Sequence, residues 1–168
     1  MKKLLVFINC FAALQLVAQD KITPAVKTFE ARTGKTIELK DNGANGVYAN
    51  IVDSKKSALF TYTFTASQND NVTDDEYTET LAFSINPDKT GKFSLKGNDL
   101  KNAMGYFYKG CFCMDRGYTP LIDGSITGTK LSRTTWYIKF NVSYKSKQGE
   151  SEQIITKKLA GKFTIVNK

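Results

Sequence analysis

The residues best equipped for chemistry in this 168-residue chain crowd into one window, Gly105-Tyr106-Phe107-Tyr108-Lys109-Gly110-Cys111-Phe112-Cys113-Met114-Asp115-Arg116-Gly117-Tyr118. Two thiols spaced C-x-C, a carboxylate next to a guanidinium, and three tyrosines lie between glycines that permit an irregular backbone. On an extended strand the two cysteine Cα atoms sit about 6.6–6.8 Å apart on one face, at the upper limit for a disulfide. A bend at Gly110 or Gly117 shortens that distance. Cys111 and Cys113 therefore admit three fates: small packed thiols, an intrachain disulfide, or pairing with another chain or a soft metal. The last fits least well, because two thiolates without a histidine make an incomplete tetrahedral cage. Asp115 beside Arg116 suits a polar ligand group, and Tyr106, Tyr108 and Tyr118 offer flat stacking area. These five residues are the candidate ligand-binding set, with no metal and no cofactor expected. The same residues equally suit an ordinary strand and turn, with the tyrosines covering a sheet edge.

Other chemistries are limited by what the chain lacks. It contains no histidine, so Ser-His-Asp and Cys-His nucleophiles, imidazole acid–base catalysis and His-ligated zinc are all excluded. No glycine-rich phosphate loop follows a strand. Four carboxylates, Glu79, Asp88, Asp115 and Asp123, are available for glycoside hydrolysis, but they stand beside Gly, Pro and Lys in expected turns. The oxygen-rich stretch 67–76 has the composition of a calcium loop and matches no calcium-loop spacing; an acidic loop tip is the simpler account. A non-catalytic binding module follows, taking a small hydrophobic or saccharide ligand or an extracellular protein. The alternatives are a hydrolase using acidic residues alone and a surface-assembly protein.

The elements that must position these groups are strands. Trp136, Ile138, Phe140, Val142 and Tyr144 alternate with polar residues, which gives one buried and one wet sheet face. Phe60, Tyr62 and Phe64 alternate with threonines in the same way. Leu81, Phe83 and Ile85 are followed by the turn formers 86–91 and then by Phe93 and Leu95, so 78–96 is expected to be a hairpin. A second hairpin joins 134–145 to 152–166, with Gly161 as a bulge or bend. Shorter strands are expected at 36–39, 47–52, 106–113 and 121–130, with a turn over 41–46. One or two helical turns fit 22–33, and a short helix can start at Asn98 or Asp99. The sum is a single all-β domain, an antiparallel sandwich or partly closed barrel of about eight to ten strands with little helix. Its expected core includes Phe60, Phe64, Phe83, Trp136, Phe140 and Phe163.

The first twenty residues have the form of a secretory signal: basic Lys2 and Lys3, an apolar run from Leu4 to about Val17, and small Ala18 before Gln19. Cleavage there leaves residues 19–168 as the exported domain, secreted or periplasmic. Acylation of Cys10 is disfavoured by the bulky, polar Phe7-Ile8-Asn9 before it. No later segment is apolar enough to span a bilayer as a helix. The formal charge of +8 comes from scattered lysines with only three arginines, a solvated surface and not a nucleic-acid stripe. The lysine-, asparagine- and threonine-rich strands resemble exported β-proteins of Gram-negative bacteria. The Gly-x-Trp that opens lipocalins is missing, and the one tryptophan, Trp136, lies far downstream.

Overall fold

The computed structural model describes residues 22–43, 46–87, 91–148 and 151–166. Among them are ten strands and one short helix: β1 (Ile22–Thr23), β2 (Val26–Asp41), β3 (Val47–Thr65), β4 (Gln68–Asn69), β5 (Thr78–Ile85), β6 (Lys92–Lys96), α1 (Asn98–Asn102), β7 (Tyr106–Gly110), β8 (Gly117–Lys130), β9 (Thr135–Gln148) and β10 (Ser151–Ile165). The signal-like segment 1–18 lies outside the described residues, and no described helix is long and apolar enough to cross a membrane.

Eight strands form one sheet in the order β6-β8-β7-β5-β3-β2-β10-β9, and β8 also pairs with β9. That extra pairing closes a circuit, so the sheet is a partly closed barrel, with β7 and β6 sharing one flank of β8. Among the described residues all pairings are antiparallel except one. At the seam between β10 and β2, Thr164 and Ile165 run parallel to Glu30 and Ala31, and the Val166 N–H donates to the Ala31 carbonyl at 2.9 Å.

Inward positions from most of the strands meet in one aromatic core. Phe60 is fully buried and lies 5.1 Å from Phe83, 5.7 Å from Trp136 and 5.9 Å from Phe163, ring centre to ring centre. Small barrels have interiors just wide enough for side chains to fill, and these rings fill this one. Of the expected core, only Phe64 is half-exposed, packed against the edge of the cluster. Helix α1 buries Leu100 against the same residues.

Three local expectations are corrected. Residues 22–33 hold no helix: 22–23 are β1 and 26–33 belong to β2, whose Phe29 and Ala31 face the core opposite Tyr62 and Phe60. The 78–96 hairpin does not form: β5 pairs with β3 and β7, while β6 crosses to β8 and places Phe93 5.8 Å from Phe83. Gly161 holds a regular register opposite Ile138. A Cβ there would lie 2.3 Å from the Phe29 ring, so this glycine serves close approach and not a bulge.

The β2–β3 hairpin is longer than the barrel needs, and its far half doubles back. At Gly34, with φ near 74°, the register breaks opposite the extra residues Ser54 to Ser57. Beyond the break, 35–41 and 47–53 pair only with each other and lie over the outside of the barrel as a flap. Ile37 packs on Leu59, Ala82 and Tyr106, and Thr36 and Ser84 hydroxyls meet at 2.9 Å. Strand β5 is therefore buried on both faces from Leu81 to Ser84; small Ala82 and Ser84 leave room for the flap.

Phe60→Ala is expected to destabilise the fold by about 4 kcal/mol in urea unfolding, since it removes a ring held by several others and leaves a cavity. A loss under about 1 kcal/mol would show that the core is not centred there.

Candidate functional site

At the end of the barrel where β5 begins and β7 and β9 finish, the inward positions change from apolar to charged. Glu79 precedes Leu81 and Phe83 on the same face of β5, Lys109 follows Phe107 on β7, and Lys157 interrupts Ile155 and Leu159 on β10. Lys157 reaches across the barrel mouth to bond the Glu79 carboxylate, although two strands separate β10 from β5 in the sheet. Tyr77 donates to the other Glu79 oxygen at 2.7 Å. Lys109 binds both oxygens of Asp115 at 2.8 and 2.9 Å, and the Ser146 hydroxyl adds a bond at 2.9 Å. The two carboxylates are nearly covered, at 12% and 13% side-chain exposure. Each holds its own cation, as covered charges must.

A cavity of about 500 Å³ opens over this network. Three parts of the chain build it. The barrel mouth supplies Phe107, Tyr77 and Tyr144, the β7–β8 loop supplies Met114, Asp115 and Arg116, and the flap tip supplies Val47. Phe107 and Tyr144 stack face to face, 4.1 Å between centres and 12° from parallel. The Lys157 ammonium lies 5.8 Å from the Phe107 ring centre, and that of Lys109 6.0 Å from Tyr77. The walls thus alternate aromatic surface with fixed charges.

The electrostatics fix protonation states. Hydrogen bonding from Lys109 holds the Asp115 carboxyl below the ordinary carboxylate value, with Ser146 and the Lys109 charge helping and burial opposing. Asp115 is thereby kept ionised and is no proton donor. Burial, with the charges of Glu79 and Asp115 adding, pushes the Tyr144 phenol up to about 12. Burial and then the bond to Glu79 raise Tyr77 still further. Both phenols stay neutral, and that of Tyr77 donates to Glu79.

The structure divides the five candidate residues. Asp115, Arg116 and Tyr118 line the cavity. Tyr106 does not: it is 6% exposed, beneath the flap. Tyr118 sits between Tyr106 and Tyr108, at 5.2 and 4.6 Å. This outward tyrosine cluster is a second small core, and burial pushes the Tyr106 phenol up to about 12, with Tyr118 adding and Arg32 opposing. The expectation that Tyr106 is free to stack on a ligand is corrected, because the flap occupies that face. Cys111 and Cys113 are bonded to each other, with Cα atoms 5.2 Å apart. In the 67–76 loop, the Asp75 carboxylate accepts the Asn69 N–H at 2.6 Å, and Asp123 accepts from Gly124 N–H at 2.6 Å.

Sequence reasoning missed Tyr77, Lys109, Tyr144, Ser146 and Lys157. The available signal was charge on an apolar face: Glu79, Lys109 and Lys157 each occupy the inward register of their strand. No family model, curated protein or solved structure matches the chain.

Two outcomes follow. Tyr106→Ala is expected to cost about 3 kcal/mol in chemical denaturation, as for a buried aromatic, where an exposed tyrosine would cost almost nothing. The depressed Asp115 group contributes stability that is complete above its ordinary value of 3.8 and is lost as pH falls through its lower folded value. Unfolding curves for wild type and Asp115→Asn should therefore differ at pH 7 and converge toward pH 2. A gap that stays constant with pH would contradict the ion pair.

Proposed function

We propose that the chain is an exported, non-catalytic binding module whose barrel-mouth cavity holds a saccharide-sized polar ligand. The observation that carries this reading is the wall of the cavity. The rims of Tyr77, Phe107, Tyr118 and Tyr144 border it among donors and acceptors already fixed by their neighbours, which suits a compact ligand with an apolar patch and a rim of hydroxyls. A wholly hydrophobic ligand fits less well. The apolar interior of the barrel is occupied by its own rings, and such a ligand would strip water from the polar groups of the mouth without bonding them. The form of the first eighteen residues supports export. Hydrolysis by acidic residues alone gains little support, because Asp115 is held as a carboxylate by Lys109 where acid catalysis needs a protonated partner.

Isothermal titration of the purified protein against a panel of neutral, amino and acidic saccharides tests the reading. At least one should bind with measurable heat, and Thr119→Trp, which fills the cavity from its wall, should weaken that binding by about tenfold or more while the circular dichroism spectrum is kept. Binding unchanged in Thr119→Trp, or no saccharide bound at all, would overturn it.

A further inference from the structure

The Cys111–Cys113 bond stands outside this account. It closes a ring around one residue, Phe112, so it removes little entropy from the unfolded chain compared with a bond across a long loop. A structural staple would be placed elsewhere. Its surroundings are those of a contact surface: Phe112 is 78% exposed and Met114 86%. Cys113 opens on a shallow depression of about 350 Å³ shared with Phe112, Met114 and Arg116. Cys111 faces a separate one beside Tyr108 and Glu76. Arg116 is exposed and pairs with no carboxylate among the described residues, whereas Lys109 and Asp115 nearby neutralise each other.

We propose that Cys111–Cys113 is a thiol–disulfide exchange site for cysteine-bearing apolar peptide segments. The exposed Phe112 and Met114 side chains take the apolar residues of the segment, and the Arg116 guanidinium attracts its thiolate. That thiolate attacks the Cys113 sulfur. The S–S bond breaks, Cys111 leaves as a thiolate and takes a proton from water, and a mixed disulfide joins the peptide to Cys113. A second thiolate of the peptide then attacks the peptide's own sulfur in that bond and expels Cys113. The peptide has lost two electrons and gained a disulfide; the chain has gained both electrons as a dithiol. A small-molecule disulfide of the oxidising compartment accepts those electrons and restores the bond.

The test mixes the full oxidised chain with a synthetic peptide carrying two cysteines flanked by Phe and Leu, quenches with acid, and maps products by mass spectrometry. Expected are oxidised peptide, a trapped mixed disulfide at Cys113, and a rate about tenfold above that for a peptide with Glu and Ser as flanks. Arg116→Gln should slow the reaction severalfold with the fold unchanged by circular dichroism. A bond that resists excess peptide while the protein is folded and is reduced only in urea would overturn the proposal. So would a mixed disulfide confined to Cys111 together with an unaltered rate in Arg116→Gln.

Discussion

The packing of aromatic rings around Phe60 is the constraint on which the rest of the structure depends. A barrel of this size has room for its own side chains and little more, and here Phe60, Phe83, Trp136, Phe140 and Phe163 take that room. Two consequences follow. Polar side chains on inward positions are driven to the end of the barrel, where Glu79 and Lys157 meet across the mouth. The interior itself keeps no room for a ligand. The filled core thus decides both where charge is tolerated and where a cavity can form.

The flap is the second organising device. By bending at Gly34, the β2–β3 hairpin covers an outer sheet face that carries Leu59, Ala82 and Tyr106, apolar surface that would otherwise meet water. Its tip then supplies Val47 to the cavity wall. One hairpin therefore joins the second core to the site. Loosening Ile37 from Leu59 would disturb both. The β7–β8 loop completes the third wall and carries Asp115, which bonds Lys109 and Ser146.

Period-two alternation made most of this fold legible. The strands around Phe60, Phe83 and Phe140 stand where their apolar positions place them, and the β9–β10 hairpin follows from its polar link. What stayed hidden depends on contacts far apart in sequence. The parallel seam between Ala31 and Ile165 leaves no local mark. Nor does the crossing of β6 to β8, since a turn-rich stretch such as 86–91 fits a hairpin equally well. The candidate cavity was half legible for the same reason. Asp115, Arg116 and Tyr118 were found through their clustering in one window, but Tyr144, Ser146 and Lys157 come from strands that converge only once the barrel closes. Tyr106 was misjudged because nothing local announces that a hairpin some sixty residues upstream lies over it. The run Ala58-Leu59-Phe60, apolar on both faces of one strand, was the available hint of double cover.

The account rests on a filled barrel whose charged inward positions, Glu79, Lys109 and Lys157, lie at its mouth. Amide chemical-shift mapping during titration with the tightest-binding saccharide of a panel probes that most directly. The account predicts shifts gathered on Tyr77, Phe107, Lys109, Asp115, Tyr144 and Ser146, with the flap tip at Val47 following. Shifts gathered instead on the outer tyrosines Tyr106 and Tyr108, or on core residues such as Phe60 and Phe140, would contradict it.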